Sequence, residues 1–129
     1  MTKRSLAKEV LIWALTLFVA LVALRSGVMK MPGVAGVQFW IRDFQRWGYP
    51  GWFRVAVGIA EIISVALMLI PRLASYGAAI FGIVMLGAIF THATHSESSR
   101  LPFNFILLII CIALFFLRKP KLVKNVSSD

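Results

Sequence analysis

The sequence predicts an all-α fold, a polytopic membrane protein built as a four-transmembrane-helix bundle. A short interfacial amphipathic helix is expected between the first and second spans. Three observations predict this. Hydrophobic residues make up 60% of the 129, whereas a soluble domain holds roughly 45–50%. The excess is gathered into four blocks, and mean hydropathy reaches +0.85. The basic residues behind the net charge of +9 mostly flank those blocks. Four spans joined by short loops make one compact bundle, so residues 1–129 are read as a single transmembrane domain.

The first span covers about residues 9–29. Val10 to Leu24 is uncharged but only 15 residues long. Crossing the hydrocarbon takes about 20 residues. The span must therefore run past Arg25 and set that guanidinium near one membrane face. Met1 to Lys8 has the basic character of the first region of a signal peptide. The block that follows ends in Arg25 to Lys30 without a small-x-small cleavage site, so it is read as a retained helix.

Val37, Trp40, Ile41, Phe44 and Trp47 recur at helical spacing, and Gln38, Arg42, Asp43, Gln45 and Arg46 fill the opposite face. A short helix of this kind lies in the membrane interface. Trp47 to Phe53 then makes an aromatic turn. Trp and Tyr settle at headgroup level. Trp40, Phe44, Trp47, Tyr49 and Trp52 are thus read as interface anchors or as the lip of a pocket.

The second span covers about 52–70, holds Glu61 and stops at Pro71. The third covers about 73–91, is uncharged, and leads to His92 and His95. The fourth covers about 101–117. Pro102 is tolerated in its first turn, and the basic run from Arg118 to Lys121 ends it. Ala56, Ala60 and Ser64 recur every fourth residue in the second span, as do Ala74, Ala78 and Gly82 in the third. Small-xxx-small faces let helices approach closely within a membrane. The two stripes are expected to meet, or to serve a homo-oligomer.

Four spans put both termini on one side. That side carries Lys3, Arg4, Lys8, Arg72, Arg118, Lys119, Lys121 and Lys124. The other carries Lys30, Arg42, Arg46, Arg54 and Arg100, with Arg25 just below. The bias places both termini in the cytoplasm. Because the basic residues flank membrane segments, they are read as meeting lipid headgroups. Nucleic-acid binding is set aside. The lone Cys111 allows neither an intramolecular disulfide nor a C-x-x-C pair. Any redox role must borrow its redox centre.

Glu61 carries most of the functional information. A charge at membrane depth costs about 2.5–3.5 kcal/mol on insertion scales, and such groups are functional by default. It lies about nine residues below Trp52, or roughly 13 Å down at 1.5 Å per residue. Arg25 is its expected cationic neighbour. His92 and His95 end the third span, and Asn104 opens the fourth. Every span thus sends a polar group to the outer half of the bundle, which predicts a polar pocket there. Glu61, Arg25, His92, Asn104, His95 and Lys30 are the candidates for ligand binding or proton exchange. His92, His95 and Glu61 do not make a convincing metal site, because a second acidic ligand is missing. Heme would want a histidine within a span. Neither a Ser/His/Asp set nor a phosphate loop is present. An accessory or non-catalytic role is expected rather than a stand-alone enzyme.

Several segments match a known pattern: Arg25 to Lys30 closing the first span, Trp47 to Pro50, Gly58 to Glu61, Pro71 and His92. In this order, over about residues 9–117, the chain resembles the DoxX and DoxX-like family of small four-helix bacterial membrane proteins. The resemblance implies a place in the bacterial inner membrane and an association with redox complexes, including thiosulfate:quinone oxidoreductase and oxidant-defence assemblies.

Three functions follow as expectations. The first is an accessory component of redox or quinone-linked metabolism, working with a redox partner subunit. Glu61 would exchange a proton with a bound quinone and His92 would relay it outward. No cofactor is demonstrable from the residues; quinone is the one this pocket could serve. The second is a non-catalytic scaffold, or a binding protein for a lipid-like small molecule. The third is a small transporter, which has neither an internal repeat nor a broken helix behind it.

Overall fold

The computed structural model describes residues 3–119, with side chains from Ser5 onward. Five α-helices follow one another: α1 Lys3–Val28, α2 Val37–Trp47, α3 Gly51–Met68, α4 Ala74–Thr94 and α5 Leu101–Leu117. No strand occurs among the described residues. Among the described residues, four segments, Ser5–Val28, Gly51–Met68, Pro71–Thr94 and Ser98–Leu117, are long and apolar enough to cross a membrane. The chain is a multi-pass membrane protein. Lys121 and Lys124, on which the orientation expectation partly rests, lie outside the described residues, as do the side chains of Lys3 and Arg4.

α1 begins well before the expected start near Glu9. Nothing in Lys3 to Lys8 breaks a helix, so the helix projects past the apolar stretch. α3 stops at Met68 rather than Ile70. Ile70 is extended, at φ −102° and ψ 111°, because the ring of Pro71 excludes the helical conformation from the residue before it. A 3₁₀ turn, Pro71–Leu73, leads into α4. Pro102 sits in the first turn of α5, where its missing N–H costs nothing. The helix expected over Val37–Trp47 is present. Gly48 ends it at φ 83°, and the N–H groups of Gly48 and Tyr49 reach the carbonyls of Gln45 and Phe44. This is the left-handed closure that glycine makes easy.

The spanning helices pack in a ring, with α1 on α3, α3 on α4, α4 on α5 and α5 back on α1. The core runs through Val19 and Ala23 of α1, Met68 of α3, Phe81 of α4, and Leu107 and Cys111 of α5. A second cluster of Ile12, Ala78 and Leu114 closes the end nearer the termini. Many large apolar side chains point outward, among them Leu21, Ile59, Ile83, Ile109 and Phe116. In water such a surface would be an association patch; around a four-span bundle it is the lipid-facing coat.

Two glycine contacts set how closely the helices meet. A Cβ on Gly58 would lie 2.8 Å from the Gly27 carbonyl oxygen, so α1 and α3 cross backbone to backbone. A Cβ on Gly77 would lie 2.6 Å from the Ser64 oxygen, which fixes α3 against α4. The close α3–α4 contact therefore uses Ser64 from one expected stripe, but Gly77 from outside the other. Ala78 packs instead with Ile12 and Leu114, and Gly82 faces Cys111. The reason is angular. α4 is buried against three helices, so a single small-residue stripe does not determine which neighbour it meets.

Candidate functional site

α1 buries one stripe: Ile12, Thr16, Val19, Ala20, Ala23, Gly27 and, just past the helix end, Lys30. Thr16, Ala23 and Lys30 are seven residues apart and share a face. Arg25 is two residues from Ala23 and Gly27, about 200° round the helix at 100° per residue. Arg25 is accordingly exposed. The expected Arg25–Glu61 pair is not formed. Lys30 takes its place, with Nζ 2.7 Å from Glu61 Oε1 and side chains 4% and 1% exposed.

The remaining Lys30 contacts are local. Its ammonium donates to Ser26 Oγ at 2.5 Å and to the Ser26 carbonyl at 3.2 Å, and it lies 3.7 Å from the centre of the Trp40 ring. Arg54 Nε donates to the Lys30 carbonyl at 3.0 Å. Ser64 Oγ donates to the Glu61 carbonyl at 2.6 Å. The charge pair thus sits where α1, α2 and α3 converge, directly beside the Gly27–Gly58 crossing.

A second polar cluster lies at the same end. Glu97, in the α4–α5 connection, meets His92 Nδ1 at 2.8 Å, accepts from Trp47 Nε1 at 3.1 Å, and pairs with Arg46. Burial works against the Glu97 carboxylate, but its bonds to His92, Arg46 and Trp47 outweigh it and hold its pKa below the usual carboxylate range. Asp43, buried in α2, pairs with Arg46 at 3.0 Å and with Arg100 at 2.9 Å. Tyr49 and Thr91 share a hydrogen bond of 2.8 Å. These contacts strap α2 and the aromatic turn to the ends of α4 and α5.

Beneath α2 lies a cavity of about 1210 Å³. Its wall is mainly aromatic and aliphatic. α2 contributes Phe39, Trp40, Phe44 and Trp47, and the turn and α3 add Tyr49, Trp52, Phe53 and Ala60. α4 adds Ile83, Val84 and Phe90, and α5 adds Phe103 and Leu107. Polar side chains enter at the α2 end: Arg25, Ser26, Lys30, Glu61, His92, Arg100 and Asn104. Among the described residues, Trp40 Nε1, Arg100 Nη1 and Glu61 Oε1 of this wall are buried without a hydrogen bond, Glu61 Oε1 being held by the Lys30 charge. Several apolar wall residues also face outward: Trp52, Ile83 and Phe90 are each at least 66% exposed.

The candidate residues divide accordingly. Glu61, Lys30, Arg25, His92 and Asn104 reach the cavity wall, together with Trp40, Phe44, Trp47, Tyr49 and Trp52. His95 does not. It is exposed, and its Nδ1 lies 2.8 Å from the Thr91 carbonyl. The two histidines do not act as a pair, because α4 ends at Thr94 and turns His95 away. His92 contacts Glu97 and packs edge-on to Trp47, 5.5 Å between ring centres. Asp43, Glu97 and Arg100 were not singled out in the sequence, although a signal existed. The chain has 5 acidic residues against 14 basic ones, so each acid in an apolar protein is a natural hub for cations. Among the described residues no group of three His, Cys, Asp or Glu comes together as a metal site.

Fold and cavity together define a class: a small four-span membrane protein with a largely apolar chamber under a strapped surface helix. The DoxX-like family model matches residues 14–114, and the chain belongs to that family. The match includes every residue of the cavity wall. No curated protein and no solved structure matches the chain.

Proposed function

We propose that the chain is an accessory, non-catalytic membrane protein that holds a lipid-like molecule in the cavity beneath α2. The observation that carries this reading is the cavity itself. Small-molecule sites run to roughly 300–1,000 Å³, mostly apolar with a few placed polar groups. This one is about 1210 Å³, apolar along its length and polar at one end. A molecule with a hydrocarbon body and a polar head matches that division. The exposed apolar rim of Trp52, Ile83 and Phe90 offers such a molecule a path from the bilayer. The chain sits in the bacterial inner membrane with both termini cytoplasmic, and α2 lies in the outer interface.

The test is native mass spectrometry of the protein extracted in mild detergent. A retained lipid-like species is expected from the wild type. It should be lost from Ala88→Trp, which fills the cavity from α4, while helical content is unchanged. An empty wild-type protein would refute the reading.

A second reading is favoured by one observation, the presence of Glu61 in the cavity wall. Here the bound molecule is a quinone and the chain serves a redox partner subunit, with the Lys30–Glu61 pair exchanging a proton beside the head group. Glu61→Gln should then abolish quinone-dependent activity of the parent complex while the chain remains inserted. Retained activity in that variant rejects the quinone role and leaves the binding role standing.

A further inference from the structure

The chemistry of the unfilled hydrogen-bonding positions narrows the ligand. Among the described residues of the cavity wall, Trp40 Nε1 and Arg100 Nη1 are buried donors that lack a hydrogen-bond partner, whereas the one acceptor in the same position, Glu61 Oε1, is held by the Lys30 ammonium 2.7 Å away. An indole N–H and a guanidinium N–H can only donate. Buried polar groups are nearly always satisfied, so an occupant that completes this site must present acceptors. The other Arg100 nitrogen, Nη2, is already committed to Asp43 at 2.9 Å, which fixes the guanidinium in place. Nη1 is 3.7 Å from the nearest carboxylate oxygen, on Glu97. The aromatic chain between the two donors is continuous: the Arg100 guanidinium lies 5.3 Å from the Phe39 ring, and the Phe39 and Trp40 ring centres are 5.1 Å apart.

Charge separates anionic acceptors from neutral ones. The α2 end carries Arg25, Lys30, Arg42, Arg46, Arg54 and Arg100 against Asp43, Glu61 and Glu97, a difference of 6 − 3 = 3 positive charges. All three carboxylates are already paired. Arg25, at the cavity wall, has no acidic partner among the described residues. A positive, donor-rich head region above an apolar chamber suits an oxyanion on a hydrocarbon chain. Guanidinium binds carboxylate and phosphate well because its N–H groups match their oxygens.

We propose that the cavity binds an anionic amphiphile, its carboxylate or phosphate head held by Trp40 Nε1, Arg100 Nη1 and Arg25 and its chain lying against the apolar wall of α3, α4 and α5. This rests on the cavity being a ligand site, and deepens that reading by naming the head group.

The experiment titrates the full-length protein in neutral-detergent micelles by calorimetry, with partition into protein-free micelles subtracted. The probes are dodecyl phosphate, dodecanol and inorganic phosphate. Dodecyl phosphate should bind at least tenfold tighter than dodecanol. Trp40→Phe, which keeps an aromatic ring at this position but removes the N–H along with part of the ring area, should weaken dodecyl phosphate at least fivefold and leave dodecanol, which reads the lost ring area alone, within twofold. Arg25→Gln, at an exposed position outside the ion-pair cluster, should do the same. Inorganic phosphate should compete at least a hundredfold less well. Equal affinity for the phosphate and the alcohol would overturn the anionic head. Inorganic phosphate competing as well as dodecyl phosphate would overturn the amphiphile. If neither amphiphile binds, the cavity reading itself fails.

Discussion

Removing either Lys30 or Glu61 strands the other charge in a site that is almost wholly buried. Breaking such a pair typically costs about 3–5 kcal/mol, whereas replacing both members with apolar groups is often neutral. Glu61→Ala and Lys30→Ala should each lower the thermal unfolding midpoint in detergent sharply. The double variant Lys30→Met, Glu61→Leu should recover most of that loss. A double variant as unstable as either single one would mean that the two charges do not act as a pair. The pair also marks where the sequence could be read and where it could not. Glu61 stands out as a lone acid in an apolar run. Its partner does not, since Arg25 is nearer to the expected depth. The seven-residue spacing of Thr16, Ala23 and Lys30 identifies the right cation, but it becomes meaningful only once the buried face of α1 is known.

The elements hold one another through contacts of very different kinds. α1 and α3 meet backbone to backbone at Gly27 and Gly58, with the side chains of Met31, Lys30 and Ile62 closing round the crossing. Gly58→Ala would place a methyl against backbone, and overpacking of this kind costs about 1–3 kcal/mol. The same substitution at Gly87, where a Cβ meets nothing within 4 Å, should leave the unfolding midpoint unchanged or raised. α2 is held by charge instead, through Asp43, Arg46, Glu97 and Arg100. Because the folded protein holds Glu97 below the ordinary carboxylate value of 4.5, its contribution is complete above that pH and is lost as pH falls through the depressed value. Acidification below about 4.5 should therefore destabilise the wild type more than Glu97→Gln, measured as the change in unfolding midpoint between pH 7 and pH 3.5. Equal acid loss in the two proteins would show that Glu97 is not the titrating strap. The existence of α2 could be read from aromatic spacing. Its strap could not, because Glu97 lies 51 residues after Arg46 and no local pattern joins them.

On the scale of the whole molecule, four apolar blocks sufficed to foretell the four spans, since backbone in lipid must satisfy its own hydrogen bonds. The cavity was harder to foresee. The sequence pointed to polar groups gathering in the outer half, which suggests a polar pocket, whereas the chamber wall is mainly apolar. The Glu61 carboxylate does reach the chamber wall, but paired with Lys30, while Asp43 and Glu97 are taken up by Arg46 and Arg100. Most of the remaining wall is aromatic and aliphatic. Helix packing alone leaves that space, since α2 and the aromatic turn stand over the bundle instead of filling it.

The most direct measurement is the mass of what the protein carries out of the membrane. Native mass spectrometry of the detergent-extracted wild type should show a bound lipid-like species. Ala88→Trp, with its helix content intact, should show none. A wild type that flies without ligand, or a filled variant that keeps the same species, would contradict the assignment of the chamber beneath α2 as a binding site.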